Sequence, residues 1–194
     1  EQLNDDDSVT QVLFLSLDAV GAGNVIGDDL RAKVVEATGI AADNILFGQT
    51  HTHAGADLQG LWGGVPQDWI NNVLYPAAME AASAAIDALE PAQLEVRHGN
   101  MPQWNNYRRP KRLDGDIDSD TLATLTQARS TRSGEVLGTL FQFTAHPTSI
   151  NEDPRIPHPD YILGAMDYLE TQGDGGVALY FNGPIADASA SGPT

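Results

Sequence analysis

The chain has 194 residues, enough for one domain with a buried core, and carries 27 Asp plus Glu against 10 Lys plus Arg, a formal net charge of −17. That balance repels phosphate backbones, so it argues against a nucleic-acid partner, and it suits a hydrated, saline or extracellular setting. The absence of cysteine excludes disulfides, thiol catalysis and Cys-ligated zinc together, and no run of 18 apolar residues is present to span a membrane. The acidic, polar opening from Glu1 to Ser8 does not read as a signal peptide.

The first predicted element is the apolar run Gln11 to Leu17, read as a buried strand. It ends at Asp18 and the turn-forming Gly21-Ala22-Gly23. A dinucleotide fingerprint would require a third glycine where Ile26 stands, so a tight turn is the better reading. Residues 28–38 have helical spacing, with Leu30, Val34 and Val35 on one face and Gly39 as the stop signal. Ile45 to Gln49 is a second strand. A strand–helix–strand unit of this kind implies parallel pairing. Gly55 to Gly64 is a loop carrying the apolar Leu58, Leu61 and Trp62. Gln67 to Leu89 reads as one long Ala-rich helix, and Leu94 to Arg97 as a short strand. Met101 to Asp120 is polar, irregular and rich in Arg and Asn, as a functional loop is. Strands follow at 122–128 and 136–143, around the Ser133-Gly134 turn. A helix is expected from Pro159 to Leu169, and a last strand from Val177 to Phe181. The whole chain, 1–194, reads as one α/β unit with a mixed or parallel sheet flanked by helices.

Three of the five histidines, His51, His53 and His146, stand at strand exits, where α/β proteins place their sites. Residues two apart in extended chain point the same way, so His51 and His53 can face one cleft. Imidazoles in such an arrangement suit zinc; the other reading is a hydrogen-bonded pair at the mouth of a loop. His158, in Pro157-His158-Pro159-Asp160, reads as a turn residue, and His98 as a surface residue. Arg108 and Arg109 either orient a carboxylate or an oxyanion, or belong to a solvated basic loop that balances Asp114, Asp116 and Asp118. Ser189 and Ser191 follow the last strand, outside any Gly-x-Ser-x-Gly elbow.

Taken together, three blocks resemble the neutral/alkaline non-lysosomal ceramidases and their bacterial relatives. The first is Thr50-His51-Thr52-His53-Ala54-Gly55, where the family has Ser at the Ala54 position, followed by Gly60-Leu61-Trp62-Gly63. The second is Phe143-Thr144-Ala145-His146-Pro147-Thr148, with Asp160-Tyr161 downstream. The third is Asn182-Gly183 with Ala186-Asp187-Ala188-Ser189, where the family's Gly and Pro are replaced by Ala186 and Ala190. The resemblance implies that His51 and His146 are Zn2+ ligands and that His53 is an acid/base group beside the metal. It implies that Arg108 is the active-site arginine and Ser189 the proposed nucleophile, with Leu61 and Trp62 placed to contact substrate. The implied reaction is hydrolysis of the N-acyl bond of ceramide-like lipids to a fatty acid and a sphingoid base, with contact at a membrane surface giving access to the lipid. The family draws further zinc ligands, a Glu and a Tyr, from far beyond position 194. The chain is therefore expected to be the N-terminal fragment of a larger catalytic domain, secreted or periplasmic. The rival expectations are a metal-dependent hydrolase of another amide or ester, a non-catalytic remnant of the fold, and a nucleotide-binding protein.

Overall fold

A computed structural model describes residues 2–3, 8–107, 120–150 and 156–191. After a two-residue antiparallel pair, β1 (Gln2–Leu3) and β2 (Val9–Thr10), the chain enters β3 (Leu13–Leu17), β4 (Ala19–Ala22) and α1 (Asn24–Thr38). Gly39 ends α1 in the left-handed region at φ 75°, its N–H donating to the Val35 carbonyl at 2.8 Å. β5 (Ile45–Gln49) then pairs in parallel with β3, Leu13 opposite Ile45 and Leu17 opposite Gln49, as the strand–helix–strand pattern predicts. β6 (Ala56–Leu58) pairs in parallel with β4. Alternation along β3 and β5 sends Leu13, Leu15, Ile45 and Phe47 toward the helices, where they pack on Leu30, Val34, Tyr75, Ala78 and Ala82.

The long Ala-rich helix is present but not uniform. It runs as α2 (Gln67–Trp69), a π-helical stretch (Ile70–Leu74) and α3 (Tyr75–Asp87). Pro76 supplies the reason. It lacks an N–H, and its ring crowds the carbonyl four residues back, so the preceding turn widens.

The second half of the chain builds a four-stranded mixed sheet from β7 (Ala92–Asn100), β9 (Leu122–Ser130), β10 (Val136–Phe143) and β11 (Val177–Asn182), in the order β11–β10–β9–β7. β9 and β10 form the expected antiparallel pair, and β10 pairs in parallel with β11. β7 is longer than its apolar residues suggest, because its pairing with β9 extends from Ala92 to Asn100. Short strands β8 (Asn105–Tyr107) and β12 (Ala188–Ala190) pair with each other. Helix α4 (Tyr161–Thr171) lies over one face of the mixed sheet, burying Ile162 against Phe143 and Tyr180. It starts two residues later than the sequence pattern suggests, because Asp160 is its N-cap and accepts the Tyr161 N–H.

The two halves meet along β11. The Ser16 hydroxyl donates to the Tyr180 carbonyl at 2.7 Å, and the Asn182 side-chain amide donates to the Gln49 and Thr50 carbonyls, both at 2.8 Å. Phe181 lies so close to Gly48 that an added Cβ would sit 2.5 Å from its ring. Gly48→Ala is therefore expected to lower unfolding stability by roughly 1–3 kcal/mol through overpacking, which a urea titration monitored by circular dichroism would measure; an unchanged midpoint would refute the close contact.

Behind this junction Tyr161 and Tyr180 bring their hydroxyls within 2.7 Å while also reaching the Ala145 and Phe143 carbonyls, so two protons serve three contacts. Burial pushes both phenols above their ordinary range. The folded chain thus keeps protons that the unfolded chain loses from about pH 10 upward. Their contribution to stability is expected to be intact below about pH 10 and to fall as pH rises beyond it. Denaturation midpoints across that range test this, with Tyr180→Phe flattening the alkaline loss.

Candidate metal centre

The His51-Thr52-His53 segment leaves β5 in a turn rather than in the extended form the sequence suggests, with His51 in a left-handed backbone, and the turn divides its three side chains. Thr52 is fully buried. Its hydroxyl donates to the His158 carbonyl at 2.7 Å and accepts the Ala54 N–H at 3.2 Å, while the His158 N–H returns to the Ala54 carbonyl at 3.1 Å. With Thr52 turned inward, His51 and His53 project to the other side. Gly55 completes the turn because a Cβ there would lie 2.5 Å from the Asp18 carbonyl oxygen. His158 thus serves as the turn residue expected from the sequence, and His98 is exposed beside the Thr124 hydroxyl.

His51 takes a left-handed backbone, φ 62°, which is uncommon for a residue with a side chain. In that conformation its Nδ1 lies 2.5 Å from the Val20 carbonyl. A carbonyl only accepts, so Nδ1 carries the proton and Nε2 presents its lone pair outward. His146 follows β10 and is held by its own N–H on the Ala188 carbonyl at 2.9 Å. Its Nδ1 faces the Ile185 carbonyl at 3.3 Å, which sets the same tautomer. His53 Nε2 stands 3.0 Å from His146 Nε2. One ligating atom from each of the three imidazoles lies within 4.8 Å of the others. The ring centroids of His51 and His146 are 4.6 Å apart.

This donor set fits a divalent transition metal. Neutral imidazoles whose far nitrogens are anchored on carbonyls are the usual way a protein orients such ligands. With Zn–N of about 2.0–2.1 Å, two nitrogens on one zinc lie roughly 3–4 Å apart; the 3.0 Å between His53 and His146 is near that, and the 4.8 Å that bounds all three is wider, so the group would draw in around an ion. Held by His51 and His146, such a metal would keep further coordination positions open, as catalytic zinc does on one side. That open side faces a cleft of about 590 Å³ lined by His51, His146, Pro184, Ile185, Ala186 and Asp187.

The remaining candidate residues fall in different places. Ser189 is the parallel bridge partner of His146 and lies opposite Asn106 on β8. Arg108 and Arg109 lie outside the described residues. Leu58 is buried in the core, whereas Leu61 and Trp62 are exposed, with the Trp62 ring 5.9 Å from that of His53.

Sequence reasoning missed several contributors. The Val20 and Ile185 carbonyls act through backbone atoms and have no residue-type signal. Asp187 lines the cleft without having been singled out. Asp160 had a visible signal, an Asp ahead of a helical run. It is 3% exposed and strained at φ 62°, ψ −145°. Its carboxylate accepts from the Ser149 hydroxyl at 2.5 Å and the Ile150 N–H at 2.8 Å, fixing the chain just beyond His146. Asp57 is likewise a loop anchor. Desolvation raises its carboxyl, but the backbone N–H groups of Trp62, Gly64, Leu61 and Gly60 outweigh that and hold it below the ordinary carboxylate value.

No protein-family model matches the sequence, and no curated protein matches it. Among solved structures, neutral ceramidase from Pseudomonas aeruginosa superposes with a TM-score of 0.68 at 20% identity, over 84% of this chain and 29% of that one. The chain has a ceramidase-like fold. A second solved structure, a ceramidase complexed with C2, gives a TM-score of 0.69 at 19% identity, over 84% of this chain and 28% of that one. The chain thus spans less than a third of the length of either ceramidase. The mixed α/β architecture expected from the sequence is the one found.

Within the ceramidase-like fold the buried Thr52 hydroxyl is the hinge pin of the histidine segment. Thr52→Val, which keeps the shape and strands two polar backbone groups, is expected to cost roughly 1–3 kcal/mol. It should also weaken metal binding by roughly 10–100-fold, as loss of an outer support does. Chemical denaturation and zinc titration of the same preparation check both effects.

Proposed function

We propose that this chain carries the metal-binding part of a ceramidase-like hydrolase that cleaves the N-acyl bond of ceramide-like lipids. The observation that carries the reading is the convergence of three imidazoles, two of them fixed in tautomer by the Val20 and Ile185 carbonyls. His51 and His146 hold Zn2+ in this reading, and His53 sits at the same point as an acid/base group. The bound metal would polarise an amide carbonyl and lower the pKa of water toward about 7. His53, exposed at the rim, takes the proton of the attacking hydroxyl and returns it to the departing amine nitrogen. The attacking oxygen adds to the carbonyl carbon and the C–N bond breaks to release the amine; with water as attacker the fatty acid leaves directly, and with a serine hydroxyl an acyl-serine forms that water then hydrolyses to the fatty acid. Ser189, next to His146 by backbone pairing, is the candidate attacking hydroxyl, with water as the other. Arg108 enters by resemblance as the group facing the oxyanion.

A lipid substrate fits the exposed Leu61 and Trp62 beside the site. Among the described residues no helix is long and apolar enough to cross a membrane; in this reading the lipid is met at a membrane surface. A secreted or periplasmic setting agrees with the strong acidity.

Zinc titration by calorimetry tests the centre. The expected result is one site, weakened in both His51→Ala and His146→Ala by more than the roughly 100-fold upper cost of losing an outer support. Wild-type affinity in either variant would dismiss the shared site. Turnover of an N-acylsphingosine against a matched simple ester, before and after chelation, tests the substrate. Loss of amide cleavage in Ser189→Ala assigns attack to the serine, and retained cleavage assigns it to water.

A further inference from the structure

An exposed tryptophan stands beside the histidines, and something other than core packing must hold it there. Gly60, Leu61, Trp62, Gly63 and Gly64 are all exposed, and Trp62 retains 64% of its accessible surface. No hydrophobic packing fixes such a stretch. Gly60, Gly63 and Gly64 stand at φ of 76°, 116° and 75°, so the turn has a specific, glycine-dependent course. A single carboxylate dictates that course. On β6, Leu58 points into the core, and by alternation its neighbour Asp57 points the other way, toward the turn. Asp57 Oδ1 accepts the Leu61 N–H at 3.0 Å, and Oδ2 accepts the N–H groups of Trp62 at 2.7 Å and Gly64 at 2.9 Å. These are charge-assisted bonds to successive backbone donors, and they wrap the turn around a single anion.

The wrapped turn delivers the Trp62 ring to 5.9 Å from the His53 ring, whereas the cleft on His51 and His146 is lined by Ile185 and Asp187. We propose that Asp57 is a positioning residue whose carboxylate sets Trp62 as an aromatic wall beside His53, against which the alkyl chain of a substrate packs. This rests on the reading of the histidine cleft as a catalytic site. An indole held rigidly beside a cleft offers a large apolar face at little entropic cost, which is what a flexible acyl chain needs for a defined seat. Asparagine is an informative replacement. It is isosteric, but whichever way its amide turns, an NH2 group faces backbone N–H donors, so at least one arm of the brace is replaced by repulsion.

The test begins with the metal-free protein. The ring protons of His53 feel the ring current of Trp62, so Trp62→Ala shifts their nuclear magnetic resonance signals. Asp57→Asn is expected to reproduce most of that shift while leaving the His98 and His158 signals in place. Unmoved His53 signals in Asp57→Asn overturn the proposal. Should Asp57→Asn not fold, Gly63→Ala replaces it. A methyl there meets no atom within 4 Å and strains only the φ 116° backbone, so it displaces the turn alone. The same His53 shift is expected, and its absence likewise overturns the proposal. The wall itself is tested by kinetics. Asp57→Asn and Trp62→Ala should raise KM several-fold more for a long-chain N-acyl amide than for its short-chain counterpart. Equal effects on both chain lengths overturn the wall. Absence of turnover by the unaltered protein sinks the hydrolase reading instead, and the His53 shift then decides the positioning by itself.

Discussion

His51 belongs to the parallel strand unit and His146 to the mixed sheet, so no metal site exists unless the two are held in register. Asn182 supplies that constraint. Its single amide nitrogen bonds the Gln49 and Thr50 carbonyls, the last acceptors before His51, and it does so from the strand that pairs with the one leading to His146. Gly48 permits the approach by offering no side chain to Phe181, and Ser16 adds a third tie at Tyr180. The position of the imidazoles is therefore a property of the junction between the two halves. A change far from the histidines that loosens this junction acts on the site through distance alone.

A second level of order comes from polar side chains bonded to backbone. Thr52 ties the histidine segment to His158, Asp160 ties the chain after His146 to the start of α4, and Asp57 ties the glycine turn beside His53. Each element that reaches the site thus has its own anchor. The formal charge of −17 sets a background that favours a cation at this point, and neutral imidazoles rather than carboxylates supply the ligating atoms found within one cluster among the described residues.

Much of this was legible in the sequence. The apolar runs at 11–17 and 45–49 marked β3 and β5, and the helical pattern between them required their parallel pairing. His51, His53 and His146 do come together, but the left-handed backbone at His51 and the turn at His53 bring this about, and not the extended two-residue alternation expected from the sequence. What escaped has physical reasons. The tautomers of His51 and His146 depend on main-chain carbonyls that any residue could provide. The widened turn before Pro76 is a local answer to a missing donor inside a pattern that otherwise reads as uninterrupted helix. The extent of β7 comes from its partner and not from its own residues, most of which face solvent. Exposure at Leu61 and Trp62 could not be told from burial by composition, because the deciding group is the Asp57 carboxylate, four and five residues earlier.

The left-handed backbone at His51 carries a consequence for how such a protein can change. That conformation is disfavoured for any side chain with a Cβ and is comfortable for glycine or, to a lesser degree, asparagine. Glycine here would relieve the backbone but give up the hydrogen bond from the imidazole to the Val20 carbonyl and the nitrogen that clusters with His53 and His146. Variants screened only for resistance to heat would weigh that relief against the lost hydrogen bond, with no account taken of the clustered nitrogens. A histidine in this backbone conformation is thus placed where folding alone would be content with glycine, and a screen for the site and a screen for the fold would part company at position 51.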